Sequence, residues 1–264
     1  MQWREAGSTR WLQATMSGAT AAFSTRVGGV SQPPFDGLNL GVFTDDEGGA
    51  VVENRRRLAT ALGFPPDRVA IGRQVHGGEV ATHAGPQIPS PFAEPGSPIP
   101  EVDGHLTADP DLALLVFVAD CVPIALSGPG AVAMLHCGWR GLASGGRNSS
   151  RIAEGSATSG LVSDAVAAIG ATDAAIGPSI GPCCYEVGEE VLEAFAGLGG
   201  GVAAGRMLDL PEVARRLLLG AGVEQVETAG LCTSCEPDLF FSHRRDAGRT
   251  GRQAGLVWRN AERG

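Results

Sequence analysis

The feature that most constrains the fold is an uninterrupted apolar run, LALLVFVA, at residues 112–119. A run in which every residue is apolar is typical of a strand that is buried in a core. Two shorter segments follow, PIALS and AVAMLH, and Gly-Pro-Gly separates them. The pattern predicts a buried strand that is followed by a tight antiparallel hairpin.

The predicted hairpin carries two reactive side chains, Cys121 and His136, at equal distances from its turn. Directly opposed residues of an antiparallel pair point to the same face, with Cβ atoms about 5 Å apart. A thiolate and an imidazole at that separation can share a hydrogen bond or a metal ion. The alternative is two core residues, since a free Cys often behaves as a small buried hydrophobe.

The neighbours of this pair favour a site. Asp120 precedes Cys121 at the end of a buried strand, where sites collect in α/β sheets. Trp139 and Arg140 follow His136 closely, and both are costly to place beside a core without a function. Two roles are open for Asp120, because its carboxylate could assist proton transfer or orient a ligand.

A third candidate ligand is His76 in the segment QVHGG, where the following glycines allow a close approach of backbone or substrate. Two His and one Cys would hold zinc with an open fourth position, which is the catalytic pattern. The wide spacing makes this a weak signal by itself. The zinc-deaminase signature, with H-x-E and P-C-x-x-C, is absent.

Four other cysteines occur as a lone C-x-x-C, Cys232 and Cys235, and as an adjacent pair, Cys183 and Cys184. A zinc ribbon needs a second C-x-x-C, which an adjacent pair does not supply. We therefore interpret these residues as structural thiols. Cys137 should point away from the site, because alternate residues of a strand face opposite sides.

The remaining segments are interpreted from their periodicity and their Gly and Pro residues. We predict strands at 19–30 before a Gly turn, within 68–80 with a break, and at 163–170. Helices are predicted at 54–63, 189–198 and 210–222. A surface loop is predicted at 85–100, which has six prolines, and a poor helix or a loop at 141–160. We find no internal repeat and no linker.

The composition excludes several classes of function. The chain has no Lys, so Walker-type phosphate loops and pyridoxal phosphate or Schiff-base chemistry are excluded, whereas Arg still permits phosphate recognition. The net charge of −9 disfavours nucleic-acid and membrane partners. The N-terminal segment lacks a signal-peptide core, and no long apolar run predicts a membrane span. We therefore expect a cytoplasmic protein whose six Cys are reduced.

The motifs of the chain, taken together, resemble a known family over about residues 23 to 258. They are TRVGGVS, LNLG, NRRRL, QVHG, DGHLT, ADCVPIAL, HCGWRG, IGPSIGPCCYEVG and DLFFSHRRDAGRTGR. The chain is similar to the laccase-domain, or multicopper polyphenol oxidoreductase, family, also called the peptidoglycan editing factor family, which is YfiH-like and FAMIN-related. Two residues depart from the family pattern: Cys137 replaces a small residue, and His243 stands where an aromatic residue is common.

The resemblance implies one α/β (α+β) domain over residues 1–264, with mixed β-sheets flanked by helices and a relation to a toxin-deamidase-like cysteine hydrolase fold. It implies a zinc ion held by His76, Cys121 and His136. It also implies purine nucleoside phosphorylase activity on adenosine, inosine, guanosine and methylthioadenosine, with adenosine deamination. The expected partners are purine nucleosides and phosphate, and the expected state is a monomer or a weak homo-oligomer.

Arginines within or beside these motifs are candidates for phosphate binding. They are Arg26, Arg55, Arg73, Arg140, Arg244 and Arg245. We favour Arg26, Arg55 and Arg140, although each could be a surface charge, where most Arg lie. Asn39 in LNLG is a candidate substrate contact or the cap of a turn.

Three other functions compete with the phosphorylase. In a metal-free cysteine hydrolase that edits a cell-wall precursor, Cys121 would attack and His136 would act as its base. A non-enzymatic binding module is a further alternative. A multicopper oxidase is excluded, because its centres use about ten His and this chain has five.

Overall fold

The computed structural model describes residues 1–143 and 160–260, and these ranges contain two six-stranded sheets, a two-stranded sheet and five α-helices. The strands are β1 (Gln2–Ala6), β2 (Thr9–Met16), β3 (Ala19–Ser24), β4 (Val69–Ala70), β5 (Val80–His83), β6 (Gly104–Thr107), β7 (Ala113–Val118), β8 (Val122–Gly128), β9 (Ala131–Cys137), β10 (Asp173–Ile176), β11 (Ala203–Ala204), β12 (Met207–Leu208), β13 (Gln225–Thr228) and β14 (Gln253–Arg259). The helices are α1 (Gly48–Leu62), α2 (Trp139–Ala143), α3 (Leu161–Ile169), α4 (Glu189–Phe195) and α5 (Leu210–Gly220).

Both large sheets are mixed, which confirms the expectation of a mixed α/β fold. The first sheet has the strand order β1-β2-β3-β14-β7-β4, and the second has the order β13-β10-β8-β9-β6-β5. Most neighbouring strands are antiparallel, and the pairs β4–β7, β5–β6 and β10–β13 are parallel.

The apolar run lies in β7, and both faces of that strand are covered. Leu114 and Val116 pack in a cluster with residues of the second sheet, whereas Ala113 and Leu115 pack in another cluster with Leu58 of α1. The two sheets therefore stack face to face, and α1 covers the outer face of the first. This explains why the run shows no alternation, since neither face of β7 meets water.

Helices α2 to α5 cover the outer face of the second sheet through a third apolar cluster. Residues 163–170, predicted as a strand, belong to α3, so that prediction is wrong. The buried residues Leu161, Val162, Ala165, Val166 and Ile169 of this element recur with a helical period. In a segment this apolar and this short, a strand pattern and a buried helix are hard to distinguish by sequence.

Strands β8 and β9 form the predicted hairpin, but His136 pairs with Pro123 rather than with Cys121. The turn consists of Pro129 and Gly130 alone, one residue later than assumed, and Gly130 has φ 83, which glycine adopts without strain. Cys121 precedes Pro123 by two residues and so shares its face. The prediction that Cys121 and His136 lie directly opposite each other is therefore wrong. Both side chains nevertheless lie on the same face of the hairpin.

Several other predicted elements are confirmed. Strand β3 precedes a Gly turn, α1 ends at Gly63 in a left-handed conformation, and Pro211 lies in the first turn of α5. The predicted loop at 85–100 contains no strand or helix. The prediction for 141–160 falls mostly on residues 144–159, outside the described residues. No helix in the described ranges combines the length and apolarity needed to cross a membrane.

Candidate active site

Three side chains from separate parts of the chain meet at one edge of the space between the two sheets. His76 lies in the loop between β4 and β5, Cys121 immediately precedes β8, and His136 lies in β9. Their ligand atoms all lie within 4.8 Å of one another. The Cys121 Sγ atom is 3.7 Å from His76 Nε2, and the two imidazole rings meet edge to face at 4.9 Å. The three residues that sequence singled out as ligands are thus neighbours.

Asp103, which sequence reasoning missed, holds this cluster in place. Its buried carboxylate accepts backbone N–H bonds from Val75 (3.2 Å), His76 (2.9 Å) and Gly77 (2.6 Å). The same carboxylate accepts a 2.8 Å bond from Nδ1 of His136. One side chain therefore fixes the loop that carries one imidazole and the orientation of the other. The available signal was an acidic residue directly before β6 in the DGHLT motif.

The bond from His136 Nδ1 to Asp103 leaves the Nε2 atom of that ring available as a ligand, as in carboxylate–histidine–metal triads. Burial opposes ionisation of the Cys121 thiol, but the positive charge of His136 outweighs burial and lowers the pKa of Cys121 to about 6. Burial also disfavours the imidazolium of His136, but the Cys121 thiolate and Asp103 raise its pKa to about 9. The pair is therefore ionised near neutral pH, and a thiolate is the form that binds metals or attacks substrates.

Asp120, beside the ligand Cys121, uses its carboxylate to organise the surrounding loops. Its backbone is left-handed, with φ 86, which is uncommon for a residue other than glycine. Its two oxygens accept 2.6 Å bonds from Thr233 Oγ1 and from the backbone N–H of Arg244, and its carbonyl accepts one from Ile180. Of the two roles considered for Asp120, these contacts support positioning.

The cluster opens into a cavity of about 500 Å³. Its walls combine aromatic, apolar and basic side chains, which include Phe43, Phe117, Trp139, Tyr185, Ile99, Ile180, Leu210, His243, Arg55, Arg140, Arg244 and Arg252. Small-molecule sites typically occupy about 300–1,000 Å³ and combine apolar walls with a few converging polar groups. This cavity has both properties, and the three ligand residues form part of its lining.

Arg55 is the most unusual cation of this cavity, because only 1% of the residue is exposed. Its Nε atom donates to the carbonyl of Leu40, and its Nη1 atom donates to those of Pro91 and Phe92. The buried Nη2 atom has no hydrogen-bond partner among the described residues. Burial lowers the pKa of Arg55 to about 9. Arg55 thus combines a place in the cavity lining with one unused N–H donor group, and guanidinium donors suit anionic oxygens.

The structure also brings Arg140 to the cavity, where its guanidinium stacks on Trp139 at 4.5 Å. Arg244 and Arg252 are further cations of the same lining, and sequence reasoning ranked the first low and omitted the second. Arg252 escaped attention because it lies at the far end of the chain, next to β14. Only the tertiary fold brings this residue near the hairpin.

Arg26 and Asn39 do not line the cavity that contains the three ligands. The Arg26 guanidinium forms an ion pair with Asp36 at 2.9 Å and stacks on Phe241. Asn39 is fully buried, and its side-chain oxygen accepts bonds from the backbone N–H groups of Gly41 and Arg252. Their placement supports a role in organising loops rather than in direct contact with a substrate.

The two departures from the family pattern have different surroundings. Cys137 is fully buried in the cluster between the second sheet and the helices, on the face opposite His136, as predicted. His243 lies in the cavity wall, so it belongs to the site environment. Two other histidines, His83 and His105, bond to each other at 3.0 Å and do not line the cavity. The described cavity therefore lacks the many imidazoles of a multicopper centre.

Comparisons with known proteins agree with these observations. The family model described as "Multi-copper polyphenol oxidoreductase laccase" matches residues 20–260. The purine nucleoside phosphorylase of Deinococcus radiodurans is 42% identical, over 89% of this chain and 87% of that protein. The purine nucleoside phosphorylase YlmD of Geobacillus stearothermophilus is 37% identical, over 96% of this chain and 95% of that protein.

A solved structure shows the same fold. The crystal structure of the Bacillus licheniformis hypothetical protein YfiH superposes with a TM-score of 0.83 and 31% sequence identity. The match covers 98% of this chain and 99% of that one. At this level of identity and coverage, the two chains share one fold over nearly their whole lengths.

Proposed function

Because the chain belongs to the multi-copper polyphenol oxidoreductase laccase family, we propose that it is a zinc-dependent purine nucleoside phosphorylase that also deaminates adenosine. Its relatives named purine nucleoside phosphorylase support an enzyme of this kind. The observation that carries the proposal is the cavity itself. A cluster of two imidazoles and a thiolate shares its cavity with four arginines, Arg55, Arg140, Arg244 and Arg252.

A purine nucleoside fits the cavity in size and in chemistry. The volume of about 500 Å³ accommodates a nucleoside together with phosphate. The rings of Phe117, Trp139 and Tyr185 offer flat apolar surfaces on which a purine can stack. We propose adenosine, inosine, guanosine and methylthioadenosine as substrates, since stacking on aromatic rings tolerates differences in the substituents of the base.

Phosphate binding is assigned to the arginines of the lining. The exposed Arg140 and Arg244 and the half-buried Arg252 line the same cavity as the buried Arg55. Charge-assisted hydrogen bonds of this kind are roughly twice as strong as neutral ones. They would bind phosphate and stabilise its negative charge while the bond between ribose and purine is broken. The net charge of −9 does not prevent this, because these cations act locally.

The residues fit a zinc ion, which His76, Cys121 and His136 would hold. Three N and S ligands that leave one position open are typical of catalytic zinc, and the Asp103–His136 bond is the usual support of a zinc-bound imidazole. Zinc with an open position supplies Lewis acidity and lowers the pKa of water. Asp103 orients the His136 imidazole and fixes the loop that carries His76, and Asp120 holds the loop of Cys121.

The proposal is tested by incubating the purified protein with adenosine, with and without inorganic phosphate. Phosphorolysis transfers the ribosyl group from the purine nitrogen to a phosphate oxygen, so adenine and ribose 1-phosphate should form only with phosphate. Deamination adds water and releases ammonia, so inosine should form in both conditions. The His76→Ala variant should lose both activities together with the zinc ion of this site. Turnover by a metal-free preparation would contradict zinc dependence.

A metal-free cysteine hydrolase is the second candidate, and the ionised Cys121–His136 pair favours it. The resemblance to a toxin-deamidase-like cysteine hydrolase fold and to a peptidoglycan editing factor supports the same proposal. Here the thiolate would attack an acyl carbon, and the imidazolium would protonate the leaving amine. A protein that is active without metal and is inactivated by alkylation of Cys121 would favour this candidate over the phosphorylase.

A further inference from the structure

A second group of potential metal ligands lies on two loops outside the candidate active site. It consists of Cys183, Cys184, Cys232 and Cys235, and we call it the four-cysteine cluster. Its four Sγ atoms all lie within 4.8 Å of one another. The Sγ atom of Cys235 is 3.3 Å from that of Cys183 and 3.4 Å from that of Cys184. We propose that this cluster binds a structural zinc ion, independently of the ion in the active site.

The spacing of the sulfurs matches tetrahedral coordination of a single ion. Zn–S bonds of about 2.3 Å in a tetrahedron place the sulfurs about 3.8 Å apart. Two of the observed separations, 3.3 and 3.4 Å, are slightly shorter than this value, and all of them lie within 4.8 Å. A four-iron cluster would hold each thiolate on a different iron atom and would spread the sulfurs farther. Four thiolates leave no open position, so the site is structural rather than catalytic.

The backbone around Cys232 is arranged as it is around a bound thiolate. The N–H group of Gly181 donates to the Sγ atom of Cys232 at 3.3 Å. The N–H groups of Cys235 and Glu236 fold back onto the carbonyl of Cys232, so the C-x-x-C segment forms a tight turn that brings its two sulfurs together. Hydrogen bonds of this kind hold thiolates in place around metals.

The cluster joins the two loops that support one wall of the active-site cavity. The backbone of Ser179 exchanges hydrogen bonds with the segment around Cys232, through the amides of Ser179 and Thr233. Thr233 in turn donates to Asp120, and Tyr185, which lines the cavity, directly follows Cys184 in the chain. An ion at this point would tie the two loops together and keep the surroundings of Asp120 rigid.

The sequence did not reveal this site, because an adjacent pair of cysteines and a distant C-x-x-C do not have the spacing of a zinc ribbon. The fold supplies what the spacing lacks. The loop after β10 and the loop after β13 leave neighbouring parallel strands at the same edge of the second sheet, so their cysteines converge.

The test is the metal content of the full chain, purified under reducing conditions and freed of loosely bound ions. We expect two zinc ions per chain in the wild type and one in the Cys183→Ser/Cys232→Ser variant. The Ser234→Ala variant, changed within the same C-x-x-C turn, should keep both. The His76→Ala variant should keep one ion, which separates this inference from the proposed function. A wild type with one zinc whose nucleoside turnover is intact would overturn the inference alone.

A second measurement does not depend on the folding of a Cys variant. In the His76→Ala protein reconstituted with cobalt, the remaining site should show the visible spectrum of tetrahedral cobalt and a strong sulfur-to-cobalt charge-transfer band. A folded protein without these bands would overturn the proposal. Disulfides among these cysteines in the reduced, purified protein, or iron in place of zinc, would also refute it.

Discussion

The Asp103→Asn substitution tests the central support of the candidate active site. The two carboxylate oxygens accept four hydrogen bonds, with His76 N–H and His136 on one oxygen and Val75 N–H and Gly77 N–H on the other. An amide of the same shape has only one oxygen. If its NH2 group faces Val75 and Gly77, two buried amides lose their acceptor. If it faces His136, that ring must carry its proton on Nε2 and can no longer bind a metal through it.

The magnitude follows from these contacts. Two buried amide donors without an acceptor cost about 1–3 kcal/mol each, so we expect a loss of roughly 3 kcal/mol in the free energy of unfolding. In a chain of this size that corresponds to a decrease of about 6–12 °C in Tm. Loss of the carboxylate behind a metal-bound imidazole typically weakens metal affinity by about 10- to 100-fold.

The assays are thermal unfolding of the metal-free protein and competition for zinc with a chelator of known affinity. The matched control is Asp109→Asn, at the other end of β6. The Asp109 carboxylate accepts a single backbone bond, from Asp111, which an Asn oxygen can replace. The control should change neither quantity appreciably. A folded Asp103→Asn protein whose zinc affinity stays within twofold of wild type would refute the role assigned to Asp103.

Three further predictions address the cavity. In the metal-free protein, the rate of Cys121 alkylation by iodoacetamide should increase as the pH rises through about 6 and should level off above it. The reason is that His136 stays positively charged in this range and stabilises the thiolate. The Arg55→Lys variant should raise the KM for phosphate about 10-fold or more by losing one charge-assisted bond, with the KM for nucleoside unchanged. The Gly138→Ala variant should weaken zinc binding and destabilise the fold by about 1–3 kcal/mol, because the added Cβ would lie 2.9 Å from the His76 ring.

Each of these predictions has a contrary outcome. Alkylation that accelerates only above pH 8, as for an ordinary thiol, would show that the imidazolium does not stabilise the thiolate. Equal increases in both KM values for Arg55→Lys would indicate a distorted cavity rather than a lost phosphate contact. For Gly138→Ala the control is Gly48→Ala, whose added Cβ meets no atom within 4 Å. Equal effects of both substitutions would contradict the steric argument.

Much of the candidate site could be predicted from the sequence. His76, Cys121 and His136 lie in separate motifs, and the last two also lie on a hairpin whose alternation places them on one face. The turn lies one residue later than predicted, which moves the pairing register by two residues, because the position of a two-residue turn within Gly-Pro-Gly is decided by packing rather than by composition. A shift that keeps the parity of the strand leaves the shared face unchanged.

Other contacts could not be predicted, because they join segments that are far apart in the chain. The Asp103 carboxylate contacts residues 26 or more positions away, and Arg252 reaches the cavity from the start of β14. The four-cysteine cluster depends in the same way on two loops 51 residues apart. Segment 163–170 was misassigned for a related reason, since its apolar residues pack on the second sheet as a helix only when that sheet exists.

The sequence by itself determined which chemical groups the protein has. These are two imidazoles and a thiol in three motifs, and Arg in place of Lys as the basic side chain. The sequence also contains an apolar run that had to be covered on both faces. Periodicity and residue chemistry are local properties, so they can be seen in the chain alone. The tertiary structure decided which groups meet. The packing of the two sheets and their loops brings the three ligands together, buries Arg55 and Asp103, and groups the four cysteines. Burial and distance are properties of the packed chain, so the sequence alone does not reveal them.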